Sequence, residues 1–213
     1  MKSLIIPSII AKNQKELSAS LLKMKKITTT LHLDVVDGKF APNHSLDFPF
    51  KLSQQFKYQA HLMIKKPQEW IKKNGKGIDV CIAHISEIEN PQEYIMWMKK
   101  NKKKVAFALL PQTPVSSLKK YLSDIDYILI LTVHPGFYGS KYSPSNLDKI
   151  SQIKKINTKV KVIVDGGINP QTIQDAVHAG ANYFVSGSFV MNAKDPKKAI
   201  EDLDREVKKI KNL

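Results

Sequence analysis

Short apolar runs recur along the chain at intervals near 25 residues, and the stretches between them place apolar positions at helical spacing. Leu4 to Ile10, Leu31 to Val36, Tyr58 to Ile64, Ile78 to His84, Val105 to Leu110, Asp126 to Val133, Val160 to Val164 and Tyr183 to Val185 are the runs. They are continuous rather than alternating, which is the pattern of strands covered on both faces in a parallel sheet. Asn13 starts the first helix, whose apolar stripe is Leu17, Leu21, Leu22 and Met24 and whose last turn carries Lys23, Lys25 and Lys26, as its dipole favours. Further helices are predicted from Pro67, over Pro91 to Lys100, over Ser145 to Lys155, from Pro170 to Ala179 with Gly180 as the stop, and from Pro196. A short, weakly helical piece is predicted around Leu46 to Phe56. About eight βα units predict a (β/α)8 TIM barrel, with residues 1–213 as one domain. The open doubly wound alternative lacks a G-x-G-x-x-G loop after the first strand.

Composition narrows the function classes. A hydrophobic content of 42% suits a large core. The net charge of +15 raises the question of nucleic acid, but Arg205 is the only arginine and no aromatics alternate with the lysine clusters at Lys99 to Lys104 and Lys194 to Lys211. The forks and stacking platforms that grip nucleic acid are missing, so the expectation is a solvated lysine surface that attracts anionic small molecules, with no nucleic-acid partner. No apolar run approaches the roughly 20 residues that span a bilayer, and the amino terminus is too short and wrongly flanked for a secretory signal. A cytoplasmic protein without membrane contact is expected, and association into a homo-oligomer stays open. Cys81 lies alone inside an apolar run and is expected to be inert packing.

In a barrel of this kind chemistry sits at the carboxyl ends of the strands. Those ends carry Ser8, His32 with Asp34, His61, His84, His134 and Asp165. His32 and Asp34, two residues apart, share one face of a strand. Alone they can be a buried pair; with His61 and Asp165 converging from other strands they form a metal-ligand set of two imidazoles and two carboxylates. That set suits Zn2+, Fe2+, Mn2+ or Co2+. The last three strands are followed by the glycine turns Gly136 to Gly139, Asp165 to Gly167 and Gly187-Ser188, where backbone N–H groups can cradle a phosphate.

Taken together, Pro7-Ser8-Ile9, His32-Leu33-Asp34-Val35-Val36-Asp37-Gly38, Phe40-Ala41-Pro42-Asn43, His61-Leu62-Met63, Pro135-Gly136-Phe137, Val164-Asp165-Gly166-Gly167-Ile168 and Gly187-Ser188 resemble the ribulose-phosphate 3-epimerase family over nearly the whole chain. The resemblance implies a TIM barrel of the ribulose-phosphate-binding type that interconverts D-ribulose 5-phosphate and D-xylulose 5-phosphate in the pentose phosphate pathway. It implies one divalent metal on His32, Asp34, His61 and Asp165, with Asp34 and Asp165 doubling as base and acid. It places Ser8 against substrate and the phosphate on Gly136, Phe137, Tyr138, Gly139, Gly166, Gly167, Gly187 and Ser188; His61 is also expected at the substrate, and Met63, inward near the ligands, either presses against the planar intermediate or packs in the core. This role matches the chemistry, since inverting C3 of a 2-ketose needs two acid/base groups on opposite faces.

The chain departs from the family pattern at Val36, where methionine is usual, at His134, where Asn or Glu is usual, and at Tyr138 and Ser140 in the phosphate loop. The segment from Asn43 to His61 is several residues shorter. A 3-epimerase of another ketose phosphate, such as a hexulose 6-phosphate, and a non-catalytic sugar-phosphate-binding barrel are the alternatives. Barrels that decarboxylate or perform aldol chemistry use an Asp-x-Lys-x-x-Asp arrangement, and Asp34-Val35-Val36-Asp37 has no lysine.

Overall fold

The computed structural model describes residues 4–135 and 141–211. In chain order it opens with β1 (Ile5–Ile9), α1 (Gln14–Met24), β2 (Thr30–Asp37), β3 (His44–Ser45), β4 (Lys57–Met63) and α2 (Pro67–Asn74). Then come β5 (Val80–His84), α3 (Pro91–Lys100), β6 (Ala106–Leu109), β7 (Tyr127–Leu131) and α4 (Asp148–Ile156). It ends with β8 (Lys161–Asp165), α5 (Ile173–His178), β9 (Tyr183–Ser186), α6 (Ser188–Met191) and α7 (Pro196–Lys211). Eight strands pair in parallel in the order β1-β2-β4-β5-β6-β7-β8-β9, and β9 pairs back onto β1, so the sheet closes into a barrel. β3 is an antiparallel addition to the end of β2, with Val36 opposite Ser45.

The period-two alternation of the strands sorts their side chains into two cores. Ile5, Ile9, Leu31, Leu33 and Val35 face outward against the helices. Ile6, Val80, Ile82, Ala106, Ala108, Leu129, Leu131, Ile163 and Val185 point inward and fill the barrel. Each large side chain so buried contributes on the order of 1.5–3 kcal/mol. Buried polar residues share the inward faces: Ser8, His32, Asp34, Gln59, His61, His84 and Asp165. The apolar plug thus gives way to polar groups toward the strands' carboxyl ends.

Helix starts follow local chemistry. Asn13 caps α1, its side-chain oxygen accepting the Glu16 N–H at 3.0 Å, while the Glu16 carboxylate accepts the Lys12 N–H at 2.8 Å. α3 spans the predicted residues, with Pro91 in its first turn and Asn90 as its cap. Gly180 ends the helical stretch with φ +94°, a conformation glycine adopts without steric cost.

Several expectations are corrected. Leu22 does not belong to the buried stripe of α1: it is 71% exposed, because Leu17, Leu21 and Met24 occupy the inward face. The Leu46 to Phe56 segment is not helical; Leu46 sits at φ +51°, Pro49 interrupts the segment, and Phe48, Phe50 and Leu52 pack against the core. The crossover from β6 to β7 carries only short 3-10 turns at Val115–Ser117 and Lys119–Tyr121. The strand β3 and the helix α6 were not foreseen. No helix among the described residues is long and apolar enough to cross a membrane. Cys81 is buried in β5, and burial pushes its thiol up to about 11, so it stays protonated and unreactive at neutral pH.

Candidate active site

Register brings the predicted ligands together. Asp34 on β2 stands beside His61 on β4, His32 lies one inward position below Asp34, and Asp165 ends β8, which β9 and β1 separate from β2 around the closed sheet. One ligand atom from each of the four lies within 4.8 Å of the others. His61 Nδ1 is 3.2 Å from Asp165 Oδ2 and 3.8 Å from Asp34 Oδ1; His32 Nε2 is 3.6 Å from Asp34 Oδ1 and 3.9 Å from Asp165 Oδ2. A cation about 2.0–2.2 Å from each donor requires separations of this size.

Two further observations make the set fit a metal. Both His32 ring nitrogens and Asp34 Oδ1 are buried without a hydrogen-bond partner. Such groups are costly to leave unpaired, and a cation at their common focus would satisfy Nε2 and Oδ1 at once. Gln59 lies beside His32, near enough to favour its protonated form, yet Gln59 Oε1 also closes no hydrogen bond.

The electrostatics divide the histidines. Burial lowers His32, and the carboxylates of Asp34 and Asp165 only partly oppose it, so the ring is held neutral and its lone pair stays free. Burial also acts on His61, but the hydrogen bond to Asp165 and the nearby negative charge of Asp34 overcome it and raise the ring to about 9. Burial would raise Asp165, yet the hydrogen bond to His61 and the charge of that ring hold it below the usual carboxylate range. The metal-free cluster is therefore organised around an ionised Asp165 and a protonated His61.

Above the ligands opens a cleft whose lining contains Ser8, Asp34, Met63, Asp165, Gly166, Gly167, Gly187 and Ser188, all predicted site residues. Val36 and Met63 contact each other in a small apolar cluster with Ala41, and both reach the cleft. His134 is exposed at its mouth. His32 and His61 are fully buried and do not line the cleft, so His61 meets the chamber from beneath rather than from its wall. Gly166 and Gly167 have φ +109° and +67°, and a Cβ on Gly166 would come within 2.6 Å of Val133. Gly187 and Ser188 lead into α6, whose first N–H groups have no intrahelical acceptor. Gly136, Phe137, Tyr138, Gly139 and Ser140 lie outside the described residues.

Sequence reasoning missed the supports beneath this chamber. The Thr132 hydroxyl reaches the carbonyl oxygens of Asp165 and Gly166 at 2.8 and 2.6 Å, and its N–H donates to Asp165 O at 2.8 Å, fastening the end of β8 to β7. His84, seen in the sequence only as another strand-end histidine, has its Nε2 2.8 Å from His61 Nε2. Asp37 accepts the N–H groups of Lys39 and Phe40, each at 2.9 Å, and of Lys65 at 2.7 Å, tying the loop after β2 to the loop after β4. Asp37 falls in the motif after β2, but nothing in its spacing reveals a partner 28 residues away.

The fold has many relatives. The crystal structure of KGPDC from Streptococcus mutans has a TM-score of 0.69 at 14% identity, covering 99% of both chains. 3-Hexulose-6-phosphate synthase from Salmonella typhimurium has a TM-score of 0.67 at 15% identity, covering 98% of this chain and 99% of its own. At such identities the likeness establishes the barrel architecture alone. Sequence similarity goes further. A ribulose-phosphate 3-epimerase of Candida glabrata is 31% identical over 231 residues, spanning 98% of this chain and 94% of the relative. One from Bacillus subtilis is 31% identical over 211 residues, spanning 93% and 97%. The profile of the ribulose-phosphate 3 epimerase family matches residues 4–191, from the first strand through α6, and on that extent of agreement the chain belongs to this family.

Proposed function

We propose that the protein inverts C3 of a ketose phosphate in a metal-dependent reaction, converting D-ribulose 5-phosphate to D-xylulose 5-phosphate in the pentose phosphate pathway of the cytoplasm. The observation that carries this reading is the convergence of two histidines and two carboxylates, all within 4.8 Å, under a cleft that both carboxylates line. A structural ion cluster has no need of an open chamber above it.

His32, Asp34, His61 and Asp165 would hold one divalent cation, Zn2+, Fe2+, Mn2+ or Co2+, which when bound supplies Lewis-acid stabilisation of the negative charge that develops on the substrate oxygens. The rest is the work of side chains. Asp34 and Asp165 come from β2 and β8, which are not neighbours in the barrel, so a substrate C3 between them can present one face to each. One carboxylate takes the C3 proton, leaving a planar enediolate, and the other returns a proton to the opposite face; in the reverse reaction they exchange roles. Met63 and Val36 form apolar surface against which the planar intermediate can lie, and Ser8 offers a hydroxyl at the wall. Gly166, Gly167, Gly187 and Ser188, with Gly136, Phe137, Tyr138 and Gly139 from the loop after β7, hold the phosphate through backbone N–H groups and so fix C3 between the carboxylates.

The test is to incubate the metal-loaded protein with D-ribulose 5-phosphate and follow xylulose 5-phosphate. Asp34→Asn and Asp165→Asn should each lower turnover about 10²–10⁴-fold with the fold intact. Full activity in either variant would remove that residue from its role. A second reading, epimerisation of another ketose phosphate such as a hexulose 6-phosphate, is favoured by Val36 on the cleft wall and His134 at its mouth. Turnover of that substrate alone would replace the first assignment. Binding of both sugars without turnover would leave a sugar-phosphate-binding barrel.

A further inference from the structure

His84 is a fully buried histidine at the end of β5 that the proposed reaction does not use. Its Nε2 lies 2.8 Å from Nε2 of His61, whose other nitrogen, Nδ1, faces Asp34 and Asp165. A hydrogen bond between two ring nitrogens holds one proton on the line joining them, so the two rings cannot choose their tautomers independently. For His61 to offer the Nδ1 lone pair to a cation, its proton must sit on Nε2. That N–H then needs an acceptor, and His84 Nε2 lies in reach of it at 2.8 Å.

We propose that His84 is a positioning residue that selects the metal-binding tautomer of His61, by accepting the His61 Nε2–H and so keeping Nδ1 available to a cation. The inference rests on the metal-dependent reading above. Two further features support it. If His84 accepts at Nε2, its own proton lies on Nδ1, and that atom is buried without a partner. The fold thus leaves one buried N–H unpaired, at a cost in stability, while presenting the acceptor to His61. The ring is also held in place: Phe40 lies over it with centroids 4.6 Å apart, and His61 lies against it at 4.9 Å. Phe40 is carried on the loop that Asp37 fastens, so the support extends from β2 through Phe40 and His84 to His61. Groups that orient a metal-bound histidine through its second nitrogen commonly affect metal affinity about 10–100-fold.

The experiment compares cobalt binding by His84→Gln, His84→Asn and His84→Leu with that of the unaltered protein. Proteins are stripped with a chelator, melted to confirm folding, and titrated with Co2+ against a chromophoric competitor while the visible absorption of the bound ion is recorded. The Gln side chain places its carbonyl oxygen near the position of Nε2, whereas Asn reaches only as far as Nδ1. Leu and Asn should weaken Co2+ binding about 10–100-fold and alter the visible spectrum, and Gln should restore affinity to within about threefold. If Leu prevents folding, the contrast between Gln and Asn decides. Affinity unchanged in Leu and Asn, or Gln as weak as Asn, overturns the inference while the metal-dependent reading stands. Failure of the unaltered protein to take up Co2+ overturns both.

Discussion

His61 is the residue on which the metal-free and metal-bound forms of the site disagree. Burial opposes protonation, but the hydrogen bond to Asp165 and the nearby charge of Asp34 raise its ring to about 9, so at neutral pH the ring holds a proton where a cation would bind. Binding must expel that proton. A raised value means that competition is absent above about 9 and strengthens as the pH falls. At pH 7 it weakens the apparent affinity by about 10²-fold, because each pH unit below the ring's value costs tenfold. The apparent association constant for Zn2+ should therefore rise about tenfold per unit between pH 7 and 8.5, with about one proton released to the buffer. Calorimetry in buffers of different ionisation enthalpy measures that proton, and a flat profile without release would show that His61 is already neutral. The clustering of these four residues was legible in the sequence, since His32 and Asp34 must share a strand face and Asp165 closes a strand. The role of His84 was not, because its contact with His61 joins residues 23 apart on neighbouring strands whose stagger the sequence does not specify.

The elements show the same division between local and distant information. α3 and the start of α1 were readable because Asn90, Pro91 and Asn13 act within one turn of themselves. The segment after β3 misled because its apolar residues match helical spacing, while Leu46 at φ +51° and the packing of Phe48 and Phe50 set a different path. The loop after β2 is fixed by Asp37, one carboxylate holding three backbone N–H groups from two loops. Partial burial pushes this carboxyl up, but the N–H groups of Phe40, Lys65 and Lys39 outweigh it and hold it below the usual range. Its stabilising contribution is thus complete above about pH 4 and is lost as the pH falls through the depressed value. Asp37→Ala should cost about 1–2 kcal/mol after allowance for solvent screening, and lower Tm by about 2–8 °C. It should destabilise less at pH 3 than at pH 7, where the carboxylate is fully charged. A penalty independent of pH would mean that Asp37 acts through shape rather than charge.

Across the whole molecule, 34 basic residues face 19 acidic ones, and the resulting net charge of +15 has opposite consequences for stability and for substrate capture. Ion pairs such as Lys104 with Asp126 and Lys66 with Glu69 join exposed side chains that contribute little individually. What remains is mutual repulsion among unpaired lysines, which opposes the compact state and which salt relieves. The same positive field draws a phosphorylated sugar toward a cleft whose own floor carries two carboxylates, and salt weakens that attraction within a Debye length of about 10 Å at 0.1 M. Raising ionic strength from about 0.02 to 0.3 M with a non-coordinating salt should therefore raise Tm and lower kcat/KM for a ketose phosphate, while kcat at saturation changes little. The opposing directions separate the two effects, because a salt that simply perturbed the fold would move Tm and kcat together. If kcat/KM held constant across that range, the lysine surface would have no part in capturing substrate, and phosphate recognition would belong to the short-range N–H groups of the glycine turns alone.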